Sequence, residues 1–323
     1  MDNNQSFITL FKSVEYAKSY LKQRYQSFGF SSPTELAFKN GYTLVYYINM
    51  GETYFQQGKS APLSIQPVLY FYGLSNWLKG ALLTIDPDYP ATTQVLAHGV
   101  STRKKKKQGY RFLDDEIKVQ KDGLFPFISN QLFNMKQLTG EKYKMKHLLM
   151  IIPELNKLFE TLEKDKPLFI VESQMEKSST ANKREYMNLD ISDVLLKKIN
   201  LTPKQFEKMV KEKIGTELIC KELNKHLIIT VNAHSLFPPV YKNMENQFFI
   251  PSHLPLYFKI PELMSHYLIL YNLSMICRYE IEWWGELLYS FSNNDLSFID
   301  AFLNITKVKS PLLLQSLFFH DFN

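Results

Sequence analysis

Apolar positions follow helical spacing in two long segments of the chain. Within 67–85, apolar residues recur at i, i+4, i+7 and i+8, which predicts a helix with a wide buried face. Gly73 and Gly80 lie seven residues apart on this segment. Their spacing predicts either a seam for a closely packed second helix or a notch for a ligand. Within 261–290, spacings of four and three alternate, which predicts one continuous helix of eight turns at the centre of a core.

Shorter segments predict further helices and strands around these two. Helical spacing occurs at 13–27, 34–57, 153–162, 203–213 and 296–302. Strand-like runs occur at 109–113, 116–119, 168–172, 217–221 and 226–232. The tail at 310–319 is apolar enough to dock on the body of the protein, whereas 174–184 has the polar composition of a solvated loop.

The order of these elements predicts a mainly α fold with a small α+β insertion. We expect residues 1–164 to form the first part of a helical core, with a basic loop or hairpin near 97–125. Residues 165–250 would form the α+β insertion, and residues 251–323 would complete the helical bundle.

Composition narrows the class of protein. The chain has 323 residues, of which 45% are hydrophobic and 22% charged, with 12 Gly and 15 Pro. These values exclude collagen, low-complexity disorder and a membrane bundle. Two cysteines, Cys220 and Cys277, are too few for a disulfide scaffold or a Cys-based zinc site. Because residues 1–10 lack the pattern of a signal peptide, we expect a cytoplasmic protein whose thiols stay reduced.

Charge is concentrated in one segment. The chain carries 38 Lys and Arg against 32 Asp and Glu, a net charge of +6. Five of the positive charges lie in the run 103–107, and without them the balance is 33 against 32, or +1. The pattern therefore predicts a nearly neutral body with one basic segment, which is unlike a protein that coats nucleic acid with a uniformly basic surface.

This basic segment and its neighbours are the first candidate site. Lysine and arginine attract phosphate groups, and nearby hydroxyls can donate hydrogen bonds to them. The residues that we expect to contact an anion are His98, Ser101, Thr102, Arg103, Lys104, Lys105, Lys106, Lys107, Arg111 and Arg278. The alternative is a solvated loop or an edge strand, where lysine discourages pairing between molecules. His98 fits a general base, a phosphate contact or a simple turn residue.

The end of the second long helix is another candidate. Arg278 follows several apolar turns, so its guanidinium must reach either a carboxylate, such as Glu282 one turn later, or water. One interpretation is a polar cleft formed with Tyr279, Glu280 and Trp284. The other is a buried Arg–Glu pair beside core tryptophans.

Acidic and histidine residues give weaker signals. The run 114–116, Asp-Asp-Glu, could hold a divalent cation or neutralise the preceding lysines. The histidines show no spacing typical of metal ligands. We therefore expect no metal, no cofactor and no catalytic residue. No Gly-rich phosphate loop follows a strand in this segment.

Several of these segments together resemble the YaaC-like proteins of Bacillus and its relatives. The matching stretches are 64–83, Ala97-His98-Gly99 with the basic run, 119–125 and 272–284. The similarity covers nearly the whole chain but implies no particular activity. Family members are often encoded beside IMP dehydrogenase, which implies a link to purine metabolism and an acidic protein partner of that kind.

The segments Tyr72-Gly73-Leu74 and Arg278-Tyr279-Glu280 are also similar to HEPN-type helical bundles, many of which are ribonucleases. Those enzymes use an arginine followed by a histidine four to six residues later, and no histidine follows Arg278 at that distance. We therefore favour a non-catalytic binding or regulatory protein that engages a nucleotide, RNA or an acidic protein surface. The alternative is a HEPN-like ribonuclease or another nucleotide-directed hydrolase with a non-standard active site.

Overall fold

The computed structural model confirms the predicted fold class, since it is mainly α-helical with two small antiparallel sheets. It describes residues 8–102, 110–175, 186–214, 219–223, 226–232, 238–252, 260–290 and 293–319. No helix within these ranges combines the length and the apolar character needed to cross a membrane.

The helices and strands have the following bounds. The helices are α1 (Val14–Ser27), α2 (Pro33–Ser60), α3 (Gln66–Leu83), α4 (Leu124–Phe133), α5 (Met145–Met150), α6 (Asn156–Leu162), α7 (Asp193–Lys198), α8 (Pro203–Ile214), α9 (Glu262–Tyr279), α10 (Ile281–Ser290) and α11 (Asp295–Phe319). The strands are β1 (Val100–Thr102), β2 (Glu116–Val119), β3 (Lys142–Lys144), β4 (Leu168–Met175), β5 (Tyr186–Ser192), β6 (Ile219–Leu223), β7 (His226–Asn232), β8 (Tyr241–Lys242) and β9 (Phe248–Pro251).

The chain divides into two compact units. Unit 1 comprises Met1–Met145 and His266–Asn323, and unit 2 comprises Lys146–Ser265. The boundaries predicted from the sequence for the α+β insertion, 165 and 250, stay a prediction.

The glycines of α3 form a seam with α2. A Cβ on Gly73 would lie 2.5 Å from the Phe55 ring and 3.1 Å from the carbonyl oxygen of Gly51, and a Cβ on Gly80 would touch Ile48 at 3.4 Å. The first of these positions has no room for a side chain because the two helices approach closely. The predicted seam is confirmed, and a ligand notch is excluded at Gly73.

The three-stranded sheet of unit 1 has the order β1-β2-β3, and all its pairings are antiparallel. Strand β2 coincides with the predicted strand at 116–119. The strand predicted at 109–113 is wrong where the structure describes it, since Phe112–Asp114 is a short 3-10 turn. The Phe112 N–H donates to Asp295 Oδ2 at 2.6 Å, and its carbonyl accepts from the Asp115 N–H. The N–H and the carbonyl of Phe112 are therefore hydrogen-bonded to partners that do not belong to a β-sheet.

The late helices differ in length from the prediction. The single helix expected over 261–290 is interrupted at Glu280, between α9 and α10. The Glu280 N–H still donates to Ile276, and its carbonyl accepts from Trp284, so the interruption leaves no backbone group unpaired there. Helix α11 extends far beyond the predicted 296–302 and contains Pro311. The predicted docking of the tail is confirmed, because Leu314, Leu317 and Phe318 are buried.

Unit 2 is built on the six-stranded sheet, with the order β6-β7-β5-β4-β9-β8. Its apolar face packs with α7 and α8 into a separate core that includes Leu189, Phe206 and Ile229. The predicted strand at 226–232 and helix at 203–213 are confirmed by β7 and α8. Most of the loop expected at 174–184 lies outside the described residues, and its first two positions belong to β4.

Candidate anion-binding site

Three basic side chains gather in unit 1, where α3, α9 and the segment before β1 meet. We call Lys79, His98 and Arg278 the basic cluster. All three are half-buried. They come from distant parts of the sequence, and two tyrosines, Tyr72 and Tyr271, contact them.

Helix α3 contributes one polar face to this site. Tyr72, Asn76 and Lys79 occur at i, i+4 and i+7, and all are half-buried on a helix whose other side chains are mostly buried. The Asn76 amide donates to the Tyr72 carbonyl at 2.8 Å. Burial lowers the pKa of Lys79 from its ordinary value, because the charged form loses hydration.

His98 is held by aromatic rings and by its own backbone. Its ring lies edge-on to Phe71 at 5.0 Å and to Tyr271 at 5.5 Å between centroids. Its carbonyl accepts from the Tyr267 hydroxyl at 2.9 Å and from the Phe125 N–H at 3.2 Å. These contacts fix the position of the imidazole at the surface of the core.

Two glycines allow the backbone to approach itself beside His98. Gly99 has φ +79° and Gly123 has φ +125°, both in the region that favours glycine. A Cβ on Gly99 would overlap the Pro126 ring, and a Cβ on Gly123 would overlap the backbone of Gly99. The Leu124 N–H also donates to the Ala97 carbonyl at 2.7 Å. Two segments of the family resemblance, 97–99 and 119–125, therefore meet here.

Arg278 lies against aromatic rings and makes no ion pair with a carboxylate of the described residues. Its Nε donates to the Ser274 carbonyl at 2.9 Å. Its guanidinium carbon lies 6.0 Å from the Tyr72 ring and 5.2 Å from the Tyr279 ring, within reach of cation–π attraction. The pair considered with Glu282 does not form, since Glu282 is exposed and contacts no described cation.

The basic cluster is electrostatically unbalanced. The pKa of His98 is lowered from 6.5, first by burial and then by the charges of Arg278 and Lys79. No described carboxylate offsets this repulsion at His98. A bound anion would offset it, and half-burial makes such an interaction stronger than at an open surface.

The other expected anion contacts lie in different surroundings. Ser101 and Thr102 are half-buried on β1, and the Ser101 hydroxyl accepts from the Gln120 amide at 2.6 Å. The run Arg103, Lys104, Lys105, Lys106 and Lys107 lies outside the described residues. Arg111 interacts with the buried Asp295, whose pKa it lowers against the larger raising effect of burial.

The polar cleft expected around Tyr279, Glu280 and Trp284 is not assembled. Trp284 is buried, and its indole N–H donates to the Ser64 carbonyl at 3.0 Å. Tyr279 is 67% exposed. Glu280 is half-buried, and its charge contributes to raising the pKa of Tyr110. Of this group, Arg278 alone joins the basic cluster, with the Tyr279 ring at its edge.

The acidic run 114–116 forms hydrogen bonds and an ion pair within unit 1. Asp115 is buried and accepts from the Tyr110 hydroxyl at 2.6 Å and from the Asn272 amide at 3.0 Å. Glu116 pairs with Lys142 at 3.6 Å. Within the described ranges, no three His, Cys, Asp or Glu side chains group as metal ligands.

Sequence reasoning missed Lys79, Tyr72 and Tyr271. The signal that could have found the first two is the polar face of α3, where three polar side chains recur at helical spacing on an apolar helix. Burial raises the pKa of Tyr271, and Arg278 partly opposes this effect. Burial also raises the pKa of Cys277 to about 11, which keeps this thiol protonated at neutral pH.

Comparisons with known proteins agree with the resemblance seen in the sequence. The family model described as YaaC-like Protein matches residues 9–318. The comparison with curated proteins found no match, and neither did the comparison with solved structures. The HEPN similarity therefore stays a prediction. Because the family model spans nearly the whole sequence, the chain belongs to the YaaC-like family.

Proposed function

We propose that this protein binds a phosphate-bearing ligand at the basic cluster and catalyses no reaction on it. The observation that supports the proposal is the gathering of Lys79, His98 and Arg278 without an ion pair to any described carboxylate. In the free protein the charges of Lys79 and Arg278 disfavour protonation of His98, and a bound anion would offset their effect.

The side chains present suit a phosphate group. A guanidinium can donate two parallel hydrogen bonds to phosphate oxygens, while an ammonium acts as a point charge. The hydroxyl of Tyr72 lies 3.5 Å from the Arg278 guanidinium and offers a further donor on the same side. The rings of Tyr72 and Tyr271 offer flat apolar surfaces beside these donors.

The basic segment 103–107 is proposed as an extension of the same site. Its first residue directly follows β1 and is the fifth residue after His98. Five cations tethered so close in sequence would attract the ligand from solution and would make its binding depend on salt.

Binding is favoured over catalysis because no carboxylate in the described part of the chain orients His98. A general base is usually held by a second group, commonly a carboxylate, that accepts from its other ring nitrogen. The described neighbours of the His98 ring are aromatic or cationic. The arginine–histidine spacing of HEPN ribonucleases is also absent at Arg278.

Among anionic ligands we favour a nucleotide. The basic cluster is compact and half-buried beside aromatic rings, which suits one phosphate group and one base better than an extended flat partner. RNA and an acidic protein such as IMP dehydrogenase are the competing ligands, and the same assay can include both.

Titration calorimetry with purine nucleoside mono-, di- and triphosphates tests the proposal. Lys79→Gln and Arg278→Gln should each weaken binding roughly 10- to 100-fold, since a hydrogen bond to a charged group is worth about 1.5–3 kcal/mol. Lys22→Gln, at an exposed lysine of α1, is the matched control and should bind normally.

Four results would contradict all or part of the proposal. The wild-type protein could bind no nucleotide at low salt, or the two cluster variants could bind as well as the control. Product formation from any bound nucleotide would refute the non-catalytic part alone. Binding of RNA or IMP dehydrogenase without nucleotide binding would replace the ligand class.

A further inference from the structure

A stacked pair of tyrosines joins the basic cluster to helix α2. Tyr54 of α2 lies 5.8 Å from Tyr72 of α3 between ring centroids, with the ring planes 29° from parallel. The Tyr72 ring in turn lies 6.3 Å from the His98 ring, and its hydroxyl lies 3.5 Å from the Arg278 guanidinium. Both tyrosines are half-buried. We call Tyr54 and Tyr72 the tyrosine pair, and it presents ring surface directly beside the proposed phosphate site.

The polar face of α3 has one edge towards α2 and another towards the basic cluster. Successive residues of a helix are turned by about 100°, so Asn76 lies about 40° from Tyr72 in the direction of Gly73. Gly73 packs against α2. Lys79 lies about 20° from Tyr72 in the opposite direction, towards Phe71, whose ring contacts the imidazole of the basic cluster at 5.0 Å. The amide and the ammonium of this face therefore lie at different edges.

The amide of Asn76 has a defined orientation. Its Nδ2 donates to the Tyr72 carbonyl at 2.8 Å, and because a carbonyl oxygen only accepts, the Oδ1 is directed away from the helix backbone. Within the described part of the chain, the second N–H and the Oδ1 of this amide make no hydrogen bond. Asn76 is half-buried, so a hydrogen bond from a ligand to this amide is stronger there than at an open surface.

One donor beside one acceptor matches the edge of adenine. The 6-amino group of adenine donates and the adjacent ring nitrogen accepts, so an asparagine amide forms two parallel hydrogen bonds with this base. Guanine presents two adjacent donors, N1–H and the 2-amino group, which together suit a carboxylate, and none shifts the pKa of Lys79 or His98. Cytosine shares the adenine pattern, but its single ring covers less of the tyrosine pair.

We infer that this site takes an adenine nucleotide, whose base stacks on Tyr54 and pairs with Asn76. The inference rests on the proposed function, because the basic cluster holds the phosphate group. Lys79 and Asn76 are three residues apart on α3, which places their Cβ atoms about 5–6 Å from each other. The ribose of a nucleotide spans this distance. Tyr54 and Asn76 are therefore the residues that determine specificity for the base.

Competition binding of AMP, GMP and ribose 5-phosphate to the full chain tests the inference. The wild type should bind AMP roughly 10- to 100-fold more tightly than GMP, the range expected for one bidentate pair. Asn76→Asp should reverse this order, because a carboxylate accepts from both guanine donors and offers adenine no donor. The ratio of the two affinities within each variant is compared, since it cancels the general loss caused by a negative charge near Lys79.

Asn304→Asp on α11 is the matched control for this substitution. The Asn304 amide donates to the Asp300 carbonyl at 3.0 Å, the same bond to the fourth preceding residue that Asn76 makes, but this side chain is exposed. The variant should keep the wild-type ratio of AMP to GMP affinity.

Tyr54→Leu tests the stacking contact. It should weaken AMP binding roughly 10-fold and leave ribose 5-phosphate binding unchanged, because only a ligand with a base loses the contact. Tyr42→Leu on the same helix is the control, at a residue that is 50% exposed and lies 5.2 Å from Lys18 of α1. This variant should bind both ligands as the wild type does. Urea denaturation confirms that the compared variants are folded.

The results separate this inference from the proposed function. Lys79→Gln and Arg278→Gln should weaken AMP, GMP and ribose 5-phosphate alike, since they remove contacts to the phosphate. Equal affinity of the wild type for AMP and GMP, or an unchanged ratio in Asn76→Asp, would overturn the adenine assignment and leave the phosphate site in place. Normal AMP binding by Tyr54→Leu would overturn the stacking contact. A wild type that binds none of the three ligands would overturn the proposed function as well.

Discussion

Gly99 and Gly123 approach each other closely beside His98, and we expect this contact to fix the position of the His98 segment. Gly99→Ala adds one methyl group at φ +79° in a place where the neighbouring chain leaves no room. Gly140→Ala adds the same group at φ +85°, where no heavy atom lies within 4 Å. The two substitutions therefore share the backbone cost and differ in the steric one.

The expected magnitude follows from these surroundings. A non-glycine residue in the left-handed region costs roughly 1–2 kcal/mol, and this cost applies to both variants. At Gly99 the new Cβ would also lie 3.0 Å from the Phe125 nitrogen and would overlap the Pro126 ring. Backbone and proline cannot move aside as a flexible side chain can. Overpacking of this kind costs roughly 1–3 kcal/mol more, which is the expected difference between the variants.

Urea denaturation followed by tryptophan fluorescence measures this difference in the right part of the molecule. The chain has 3 Trp, and all of them, Trp77, Trp283 and Trp284, belong to unit 1. The signal therefore reports the unit that contains both glycines. The slope of the free energy of unfolding against urea should be the same in both variants.

Equal stability of the two variants would refute the reasoning. It would mean that the segments 97–99 and 119–125 separate at little cost, so that the contacts of the His98 carbonyl do not position the ring. If Gly99→Ala is destabilised but still binds nucleotide with wild-type affinity, the contact stabilises unit 1 without contributing to the proposed site.

Further predictions concern the charges around the same site. Replacing Lys104–Lys107 by Ala should weaken nucleotide binding and reduce its salt dependence with little change in melting temperature, as calorimetry and thermal unfolding at two salt concentrations can show. The pKa of His98 in the folded protein lies below 6.5, so the unfolded chain binds more protons at this residue. The contribution of His98 to the free energy of unfolding should therefore fall as the pH drops below about 6.5. Lys79→Gln should reduce this fall, and denaturation at pH 7.5 and 5.5 compares the two proteins. Nucleotide binding should tighten over the same pH range if His98 contacts the ligand, and an unchanged affinity would remove His98 from the site. Tyr110→Phe should destabilise unit 1 by about 1.5–3 kcal/mol in urea denaturation, because the buried Asp115 loses a donor at 2.6 Å; a cost near zero would contradict this.

Local sequence patterns were enough to predict most of the helices, the mainly α class and the family. Periodicity is a local property, so α1, α2, α3 and α8 can be read from the spacing of apolar residues along a single segment. The spacing of Gly73 and Gly80 on α3 is local in the same way, and it indicated a seam as one of two alternatives. Pro311 inside α11 and the interruption at Glu280 were not, because the packing and hydrogen bonds around each decide whether a helix continues.

Only the folded structure shows that Lys79, His98 and Arg278 lie close together. Lys79, His98 and Arg278 belong to three separate segments, and nothing in the spacing of any one segment brings them together. These three basic side chains lie together because Gly99 approaches Gly123 closely and α3 packs with α9. Trp284 and Arg111 instead contact Ser64 and Asp295. Local patterns specify elements because their hydrogen bonds are short-range, whereas a site depends on contacts between residues distant along the chain, which only the packed fold defines.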